Sequence, residues 1–204
     1  MNGAIIAGGQ ARRYGGLPKG MVPIGGVPIA MRVRDALAEA TGRPPLLIAN
    51  DPAAQGWLPG LRVEPDVQPD MGALGGLLTA VLRAPAPVLC VAWDMPFVPA
   101  GLLRQLGDGL SLGYDAFLPA SEGPRGIEPL CAAYGPACAE AIVAALARGA
   151  REAVAFHPAI KLGILPVAEV RRWGDPRRLF FNVNTPDDQQ KADALWRESS
   201  PSSD

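Results

Sequence analysis

The chain has 204 residues, of which 49% are hydrophobic and 19% charged, and its formal net charge is −1. This composition predicts a globular protein with a buried core and excludes a disordered chain. The near-zero charge provides no overall field that would attract nucleic acid or an acidic membrane, and no apolar run approaches the roughly 20 residues that span a bilayer. We therefore expect a single domain over residues 1–198 and a disordered polar tail at 199–204.

The cysteines and the histidine indicate where the protein works and what it does not bind. Cys90, Cys131 and Cys138 are odd in number and have no zinc-binding spacing. Free thiols and the absence of a recognisable signal peptide predict a cytoplasmic protein. The only histidine, His157, excludes a multi-histidine metal site. We expect His157 to be partly exposed and Cys90, inside an apolar run, to lie in the core.

An apolar run at residues 4–7 predicts a buried first strand, and the loop after it combines several glycines with Arg12, Arg13 and Lys19. Glycine allows a ligand to approach the main chain, and successive free N–H groups cradle anions. The loop matches neither a P-loop nor a dinucleotide-binding fingerprint. It is either a polyphosphate site or a glycine-rich surface turn, and its place after a strand favours the former.

Strands and helices alternate along the rest of the chain, with a tight connection at Gly25–Gly26. Helices are predicted at residues 29–40, 74–82, 100–106, 136–147, 150–156 and 184–197. Strands are predicted at residues 46–49, 61–64, 88–92, 115–119, 127–134, 161–167 and 179–183. In the last helix, Thr185 and Pro186 match the preferred N-cap and first helical residues. The alternation predicts an α/β fold, a mostly parallel sheet with helices on both faces.

Asp94 follows the continuous apolar run 88–92, which is typical of a parallel strand buried on both faces. A carboxylate at the end of such a strand can hold Mg²⁺ against phosphate oxygens, because Mg²⁺ uses only one or two carboxylates besides phosphates and waters. Alternatively, Asp94 caps the next helix or forms an Asx turn before Pro96. Asn50 and Asp51 likewise form either a turn or a contact to a base or ribose.

Four segments between residues 6 and 188 resemble, in the same order, the motifs of the molybdenum cofactor guanylyltransferases. They are the opening loop 6–20, Gly-Ala-Leu-Gly-Gly at 72–76, Trp-Asp-Met-Pro-Phe at 93–97 and Phe-Asn-Val-Asn-Thr-Pro-Asp-Asp at 181–188. The resemblance implies a Rossmann-like three-layer sandwich around a mostly parallel mixed sheet, of the nucleotide-diphosphate-sugar transferase type. It also implies Mg²⁺-dependent transfer of GMP from GTP to molybdenum-molybdopterin, which gives molybdopterin guanine dinucleotide and pyrophosphate.

The same resemblance implies roles for individual residues. Arg13, Lys19 and Asp94 would be catalytic, and Asp94 would also be the metal ligand. The nucleotide would be held by Ile6, Ala7, Gly8, Gly9, Lys19, Asp66 and Asp94, and the pterin by Gly72, Gly76, Asn182 and Asn184. The implied partners are GTP and molybdopterin, with transient contacts to proteins that deliver molybdopterin or mature molybdoenzymes, and without nucleic acid or membrane.

Pro18 stands where this family usually has aspartate, and Pro-Lys is typical of cytidylyltransferases and sugar-nucleotide pyrophosphorylases. Gly8–Gly9 favours guanine over the Ala-Ala-Gly form of the cytidylyl relatives. The alternatives are therefore a cytidylyltransferase acting on molybdopterin, a sugar-phosphate nucleotidyltransferase, and a non-catalytic nucleotide-binding adaptor.

Overall fold

A computed structural model describes residues 1–8, 18–84 and 87–199, in which strands and helices alternate. The strands are β1 (Asn2–Ile6), β2 (Pro23–Ile24), β3 (Val27–Pro28), β4 (Leu46–Ile48), β5 (Val63–Glu64), β6 (Val88–Ala92), β7 (Ala116–Pro119), β8 (Cys131–Tyr134) and β9 (Leu162–Leu165). The helices are α1 (Ile29–Thr41), α2 (Gly72–Arg83), α3 (Ala100–Gly109), α4 (Cys138–Ala147), α5 (Val167–Val170), α6 (Pro176–Leu179) and α7 (Pro186–Ser199).

Within the described ranges, seven strands form one sheet in the order β5-β4-β1-β6-β8-β7-β9. β1 pairs in parallel with β4 and β6, and β7 pairs in parallel with β9. β8 is the exception, because it runs antiparallel to both β6 and β7. The predicted α/β class with a mostly parallel mixed sheet is confirmed.

Helices cover both faces of this sheet because alternate strand residues point in opposite directions. Ile5 packs in the cluster that contains α1 and α3, whereas Ala4 and Ile6 pack in the cluster that contains α2 and α4. The same alternation along β6 buries Cys90 completely, as expected. The result is a three-layer sandwich in which the central strands β1 and β6 are buried at every position, whereas Ile164 of the edge strand β9 is exposed.

The opening loop is followed by a separate hairpin of β2 and β3. Gly25 and Gly26 form its two-residue turn with φ of +56° and +79°. A type I′ hairpin turn requires positive φ at both central positions, which is why two glycines stand here. The predicted tight connection is thus confirmed.

Two predicted elements are wrong. Residues 150–156 form turns instead of a helix: the Ala155 N–H donates to the Glu152 carbonyl three residues back, and the Arg151 carbonyl accepts from Leu74 of α2. Residues 179–183 form no strand, since Leu179 ends α6 and the chain then runs irregularly to α7. Their apolar side chains pack into the core from the end of the sheet, so hydrophobicity alone suggested a strand.

Three smaller expectations need correction or comment. His157 is only 9% exposed, because it packs edge-on against Phe156 at 4.9 Å between ring centroids, and burial lowers its pKa. α7 includes Ser199, which was expected in the tail, and residues 200–204 lie outside the described ranges. None of the described helices combines the length and apolar character needed to cross a membrane.

Candidate active site

Several polar groups meet at one edge of the sheet. The carboxyl ends of the parallel strands β5, β4, β1 and β6 lie side by side there. Because β8 runs antiparallel to β6, the segment that precedes β8 reaches this edge as well. The residues that follow or precede these strands at the edge are Ala7, Gly8, Asn50, Asp66, Asp94 and Glu128.

A small cavity lies beyond β1 and β4. It is lined by Ile6, Ala7, Gly8, Ile48, Ala49, Asn50, Asp66, Gly72 and Gly76. Gly76 lets α2 pack closely on β1, since a Cβ atom at this position would lie 2.9 Å from Ile6 Cγ2. Gly72 begins α2 with φ of +61°, a conformation that other residues rarely adopt. Both glycines therefore shape this cavity.

Asp66 is held at the cavity by Asn50. The Asn50 Nδ2 donates to Asp66 Oδ2 at 2.8 Å, and the Asp66 backbone N–H donates to Asn50 Oδ1 at 2.7 Å. Burial raises the pKa of Asp66, and hydrogen bonds from Asn50 and Thr79 oppose this rise. A carboxylate fixed in this way can accept hydrogen bonds from two adjacent donors of a ligand.

Lys19, Asp94 and Asn184 come together beside this cavity. The Lys19 ammonium contacts the Asp94 carboxylate and donates to the side-chain carbonyl of Asn184. Lys19 stands in a short 3₁₀ turn, Lys19–Met21, whose Gly20 lies against the ring of Trp93. The turn is therefore anchored to the residue that precedes Asp94, which fixes the lysine near the carboxylate.

Asp94 meets the requirements for a Mg²⁺ ligand. The residue is 7% exposed, and its Oδ1 has no hydrogen-bond partner among the described residues. A buried acceptor without a partner costs free energy, so a cation at this oxygen would be stabilising. No three His, Cys, Asp or Glu side chains converge in the described ranges. The donor set therefore fits Mg²⁺, which substrate phosphates and waters complete, better than a metal held entirely by protein.

The segment before α7 carries Asn184 to the same place, whereas the Asn182 amide donates to the Phe180 carbonyl of its own segment at 3.0 Å. The Val183 N–H donates to the Asp94 carbonyl at 3.0 Å, which ties this segment to the end of β6. Thr185 caps α7 as predicted: its hydroxyl accepts from the Asp188 N–H at 3.2 Å, while the Asp188 carboxylate accepts from the Thr185 N–H at 3.0 Å. This reciprocal cap fixes the start of the helix and thereby the position of Asn184.

Glu128 is the residue at this edge that sequence reasoning missed. Its backbone N–H donates to the Pro119 carbonyl, and its Oε1 accepts from the Leu130 N–H at 3.2 Å. Burial raises the pKa of Glu128 to about 6, and the negative charge of Asp94 adds to the rise. The sequence placed Glu128 inside a strand at 127–134, whereas β8 begins only at Cys131. No local pattern in the sequence identifies Glu128, because its position at this edge depends on β8 running antiparallel to β6.

The predicted site residues thus fall into two groups. Ile6, Ala7, Gly8 and Asp66 share the cavity with Gly72 and Gly76, whereas Asn184 joins Lys19 and Asp94. Gly72 and Gly76 were expected at the pterin, and the structure places them with the proposed nucleotide residues. Their role in pterin binding stays a prediction. Gly9, Arg12 and Arg13 lie outside the described residues.

Comparisons with known proteins extend over this whole site. The family profile described as "MobA-like NTP transferase domain" matches residues 3–160. A probable molybdenum cofactor guanylyltransferase of Pelotomaculum thermopropionicum is 33% identical over 198 residues, which cover 97% of this chain and 94% of that protein. The molybdenum cofactor guanylyltransferase of Cereibacter sphaeroides is 32% identical over 96% of each chain.

A similar crystal structure is that of the molybdopterin-guanine dinucleotide biosynthesis protein A from Archaeoglobus fulgidus. Its TM-score is 0.82 at 26% sequence identity, and the match covers 97% of this chain and 100% of the other. The family profile ends before Asn182 and Asn184, but these full-length matches extend across nearly the whole chain.

Proposed function

The chain belongs to the MobA-like NTP transferase family and is a nucleotidyltransferase, and we propose that it transfers GMP from GTP to molybdenum-molybdopterin. The names of the similar proteins, which match over nearly their full length, support the choice of GTP and of a molybdenum-containing acceptor. The observation that carries the proposal is the meeting of Lys19, Asp94 and Asn184 beside the cavity at Gly8 and Asp66.

In the proposed reaction, an oxygen of the molybdopterin phosphate attacks the α-phosphorus of GTP. The bond from this phosphorus to the bridging oxygen of the β-phosphate breaks, and pyrophosphate leaves. Both reactants are anions, so the protein must neutralise charge and align them for in-line displacement. A phosphate nucleophile needs no strong general base, so the absence of a histidine from the described site is compatible with the reaction.

The described residues divide this work between them. The cavity is too small to enclose a base, so the base would lie at its mouth with its N–H groups on Asp66, and the triphosphate would extend from Gly8 toward Lys19. The Lys19 ammonium would stabilise the negative charge that accumulates on the departing pyrophosphate. Asp94 would hold Mg²⁺, which when bound neutralises and orients the phosphates. Asn184, which contacts Lys19, would keep the lysine directed at the phosphates.

The proposal also includes the cellular location of the enzyme and its partner proteins. We place it in the cytoplasm, where its three unpaired and buried cysteines, Cys90, Cys131 and Cys138, would stay reduced. Transient contacts with proteins that deliver molybdopterin or mature molybdoenzymes would follow from the reactivity of substrate and product.

The direct test is an assay of the purified protein with Mg²⁺, molybdenum-molybdopterin and each of GTP, CTP, ATP and UTP. We expect GTP to give the guanine dinucleotide and pyrophosphate at least tenfold faster than CTP. Preferential formation of a cytosine dinucleotide would select the second candidate, which Pro18 next to Lys19 favours. Pyrophosphate release only with a sugar 1-phosphate would indicate the sugar-phosphate enzyme, and GTP binding without any turnover would indicate an adaptor.

Replacing Asp66 with asparagine tests the proposed base site. We expect the Kd for GTP to rise at least tenfold, because the new amide presents its own N–H groups to the donor edge of guanine. The preference for GTP over ITP, which lacks the 2-amino group, should fall in parallel. Titration calorimetry measures both quantities. Asp70→Asn is the matched control, since Asp70 is exposed and its φ of +61° suits asparagine equally well. Unchanged nucleotide affinities in Asp66→Asn would contradict this role.

A further inference from the structure

The order of the strands divides the reactive edge into two sides around Asp94. β1 and β4, whose ends form the cavity with Asp66, lie on one side of β6, and β8 lies on the other. Glu128 precedes β8, so it lies at the same edge as Asp94 but on the side away from the cavity. If the nucleotide base lies at the mouth of the cavity, this second side is left for the ring of the acceptor.

The backbone holds the Glu128 side chain in place. Its Oε1 accepts from the Leu130 N–H at 3.2 Å, and the Leu130 carbonyl in turn accepts from Ala92 at the end of β6 at 2.8 Å. Within the part of the chain that the structure describes, no side-chain donor is bound to Glu128. Since each carboxylate oxygen can accept two hydrogen bonds, most of the accepting capacity of Glu128 stays available.

The charge of this carboxylate restricts what it can bind. Asp94 is close enough to raise the pKa of Glu128, so two acidic groups share this side of the edge. The charge of Arg125 partly offsets this effect on the pKa of Glu128. Because a carboxylate accepts hydrogen bonds and donates none, N–H or O–H groups of the acceptor are the partners that suit Glu128. A pterin presents a ring N–H and a neighbouring amino group along one edge, and this pair matches the two oxygens of a carboxylate.

We propose that Glu128 is a specificity-determining residue that binds the N3–H and 2-amino edge of the acceptor's pterin ring. The inference rests on the proposed function for the identity of the acceptor. It assigns the ring to the β8 side of Asp94, with the acceptor phosphate directed back toward Asp94 and Lys19. Asn184, which contacts Lys19 beside Asp94, would then contact the part of the acceptor between ring and phosphate, together with Asn182 of the same segment.

The test compares two fluorescent probes that differ only at the proposed contact. One is 6-hydroxymethylpterin phosphate, and the other is the matching lumazine phosphate, in which an oxo group replaces the 2-amino group. Binding is measured at pH 7, where Glu128 is largely ionised and both probes keep their N3–H, with Mg²⁺ and an α,β-methylene analogue of GTP. We expect the unaltered enzyme to bind the pterin at least tenfold more tightly than the lumazine, because a carboxylate only accepts hydrogen bonds.

Glu128→Gln should reduce this ratio below about threefold, because an amide both donates and accepts. Its Kd for the GTP analogue should stay within about twofold of the original. Glu140→Gln makes the same chemical change on the exposed surface of α4 and should keep the original ratio. Glu128→Asp, which keeps the charge, should bind the pterin more weakly than the unaltered enzyme does but should still prefer the pterin to the lumazine. This variant replaces Glu128→Gln if Glu128→Gln does not fold.

The proposal is wrong if the unaltered enzyme binds both probes equally or if Glu128→Gln keeps the full ratio. It is also wrong if Glu128→Gln raises the Mg²⁺ concentration needed for binding while the ratio is unchanged, since Glu128 would then be a metal ligand. Dinucleotide formation is assayed separately in the unaltered enzyme. Its absence would contradict the proposed function, whereas the probe ratio alone decides the role of Glu128.

Discussion

Replacing Asp94 with asparagine is expected to lower kcat/KM for dinucleotide formation about a thousandfold. Asp94 is buried, and its Oδ1 has no partner among the described residues, so this carboxylate is the group best placed to bind Mg²⁺. An amide has no net charge to offer a divalent cation. Losing the metal's anchor removes several kcal/mol of charge stabilisation, and about 1.4 kcal/mol corresponds to each tenfold change in rate.

The same variant separates a metal role from a structural one. Its backbone carbonyl still accepts from the Val183 N–H, so the fold at the end of β6 should persist and the melting temperature should change little. GTP binding should lose most of its dependence on Mg²⁺, as measured by titration with and without the ion. Asp108→Asn, on the exposed surface of α3, is the control for the loss of one carboxylate. Activity within tenfold of the original in Asp94→Asn would refute the assignment of the metal ligand.

Replacing Lys19 with methionine is expected to lower kcat/KM about 100-fold to 1000-fold. The ammonium lies at the junction of Asp94 and Asn184, where it would stabilise charge that develops on the departing pyrophosphate. Removing one such preorganised donor typically costs this much in rate. Methionine keeps a similar length and apolar stem, so packing in the 3₁₀ turn should be retained. Rapid-quench measurement of a single turnover would assign the loss to the chemical step.

Lys19→Met also has an expected effect on stability. It leaves the nearly buried Asp94 carboxylate without its cation, which should lower the free energy of unfolding by about 1–3 kcal/mol. Adding Asp94→Asn should recover most of this loss without recovering activity, and chemical denaturation of the single and double variants measures the coupling. Lys191→Met, on the exposed face of α7, is the matched control. Near-additive losses in the double variant would show that the ion pair contributes nothing to folding.

Much of the fold could be predicted because its signals are local. The five-residue apolar run of β6 is buried at every position, as predicted for a central parallel strand. Gly25–Gly26 specifies a turn through its φ angles, and Thr185–Pro186 specifies a helix start through its hydrogen bonds. The sequence also identified Asp94 and Lys19 separately, and the structure brings the two side chains into contact.

The errors arise where an apolar sequence packs without regular structure. The buried residues Leu179, Phe180 and Val183 resemble a strand, yet Val183 bonds to the carbonyl of Asp94 instead of to a neighbouring strand. His157, which stands before Pro158, was expected to be partly exposed. The neighbouring Phe156 ring covers it, and no pattern in the sequence reports such a contact. For Val183, a distant part of the chain decides what the local residues do, whereas for His157 the packing of the neighbouring ring decides it.

The sequence by itself determined most of the elements, the chemical groups and the family of this nucleotidyltransferase. Propensity, periodicity and capping act over a few residues, and the motifs keep their order along the chain. Only the tertiary structure decided which groups share a site. Lys19 and Asn184 are 165 positions apart, and Glu128 reaches the reactive edge only because β8 runs against its neighbours. Strand direction is set by contacts between distant segments, so the position of Glu128 beside Asp94 could not be read from the residues around it.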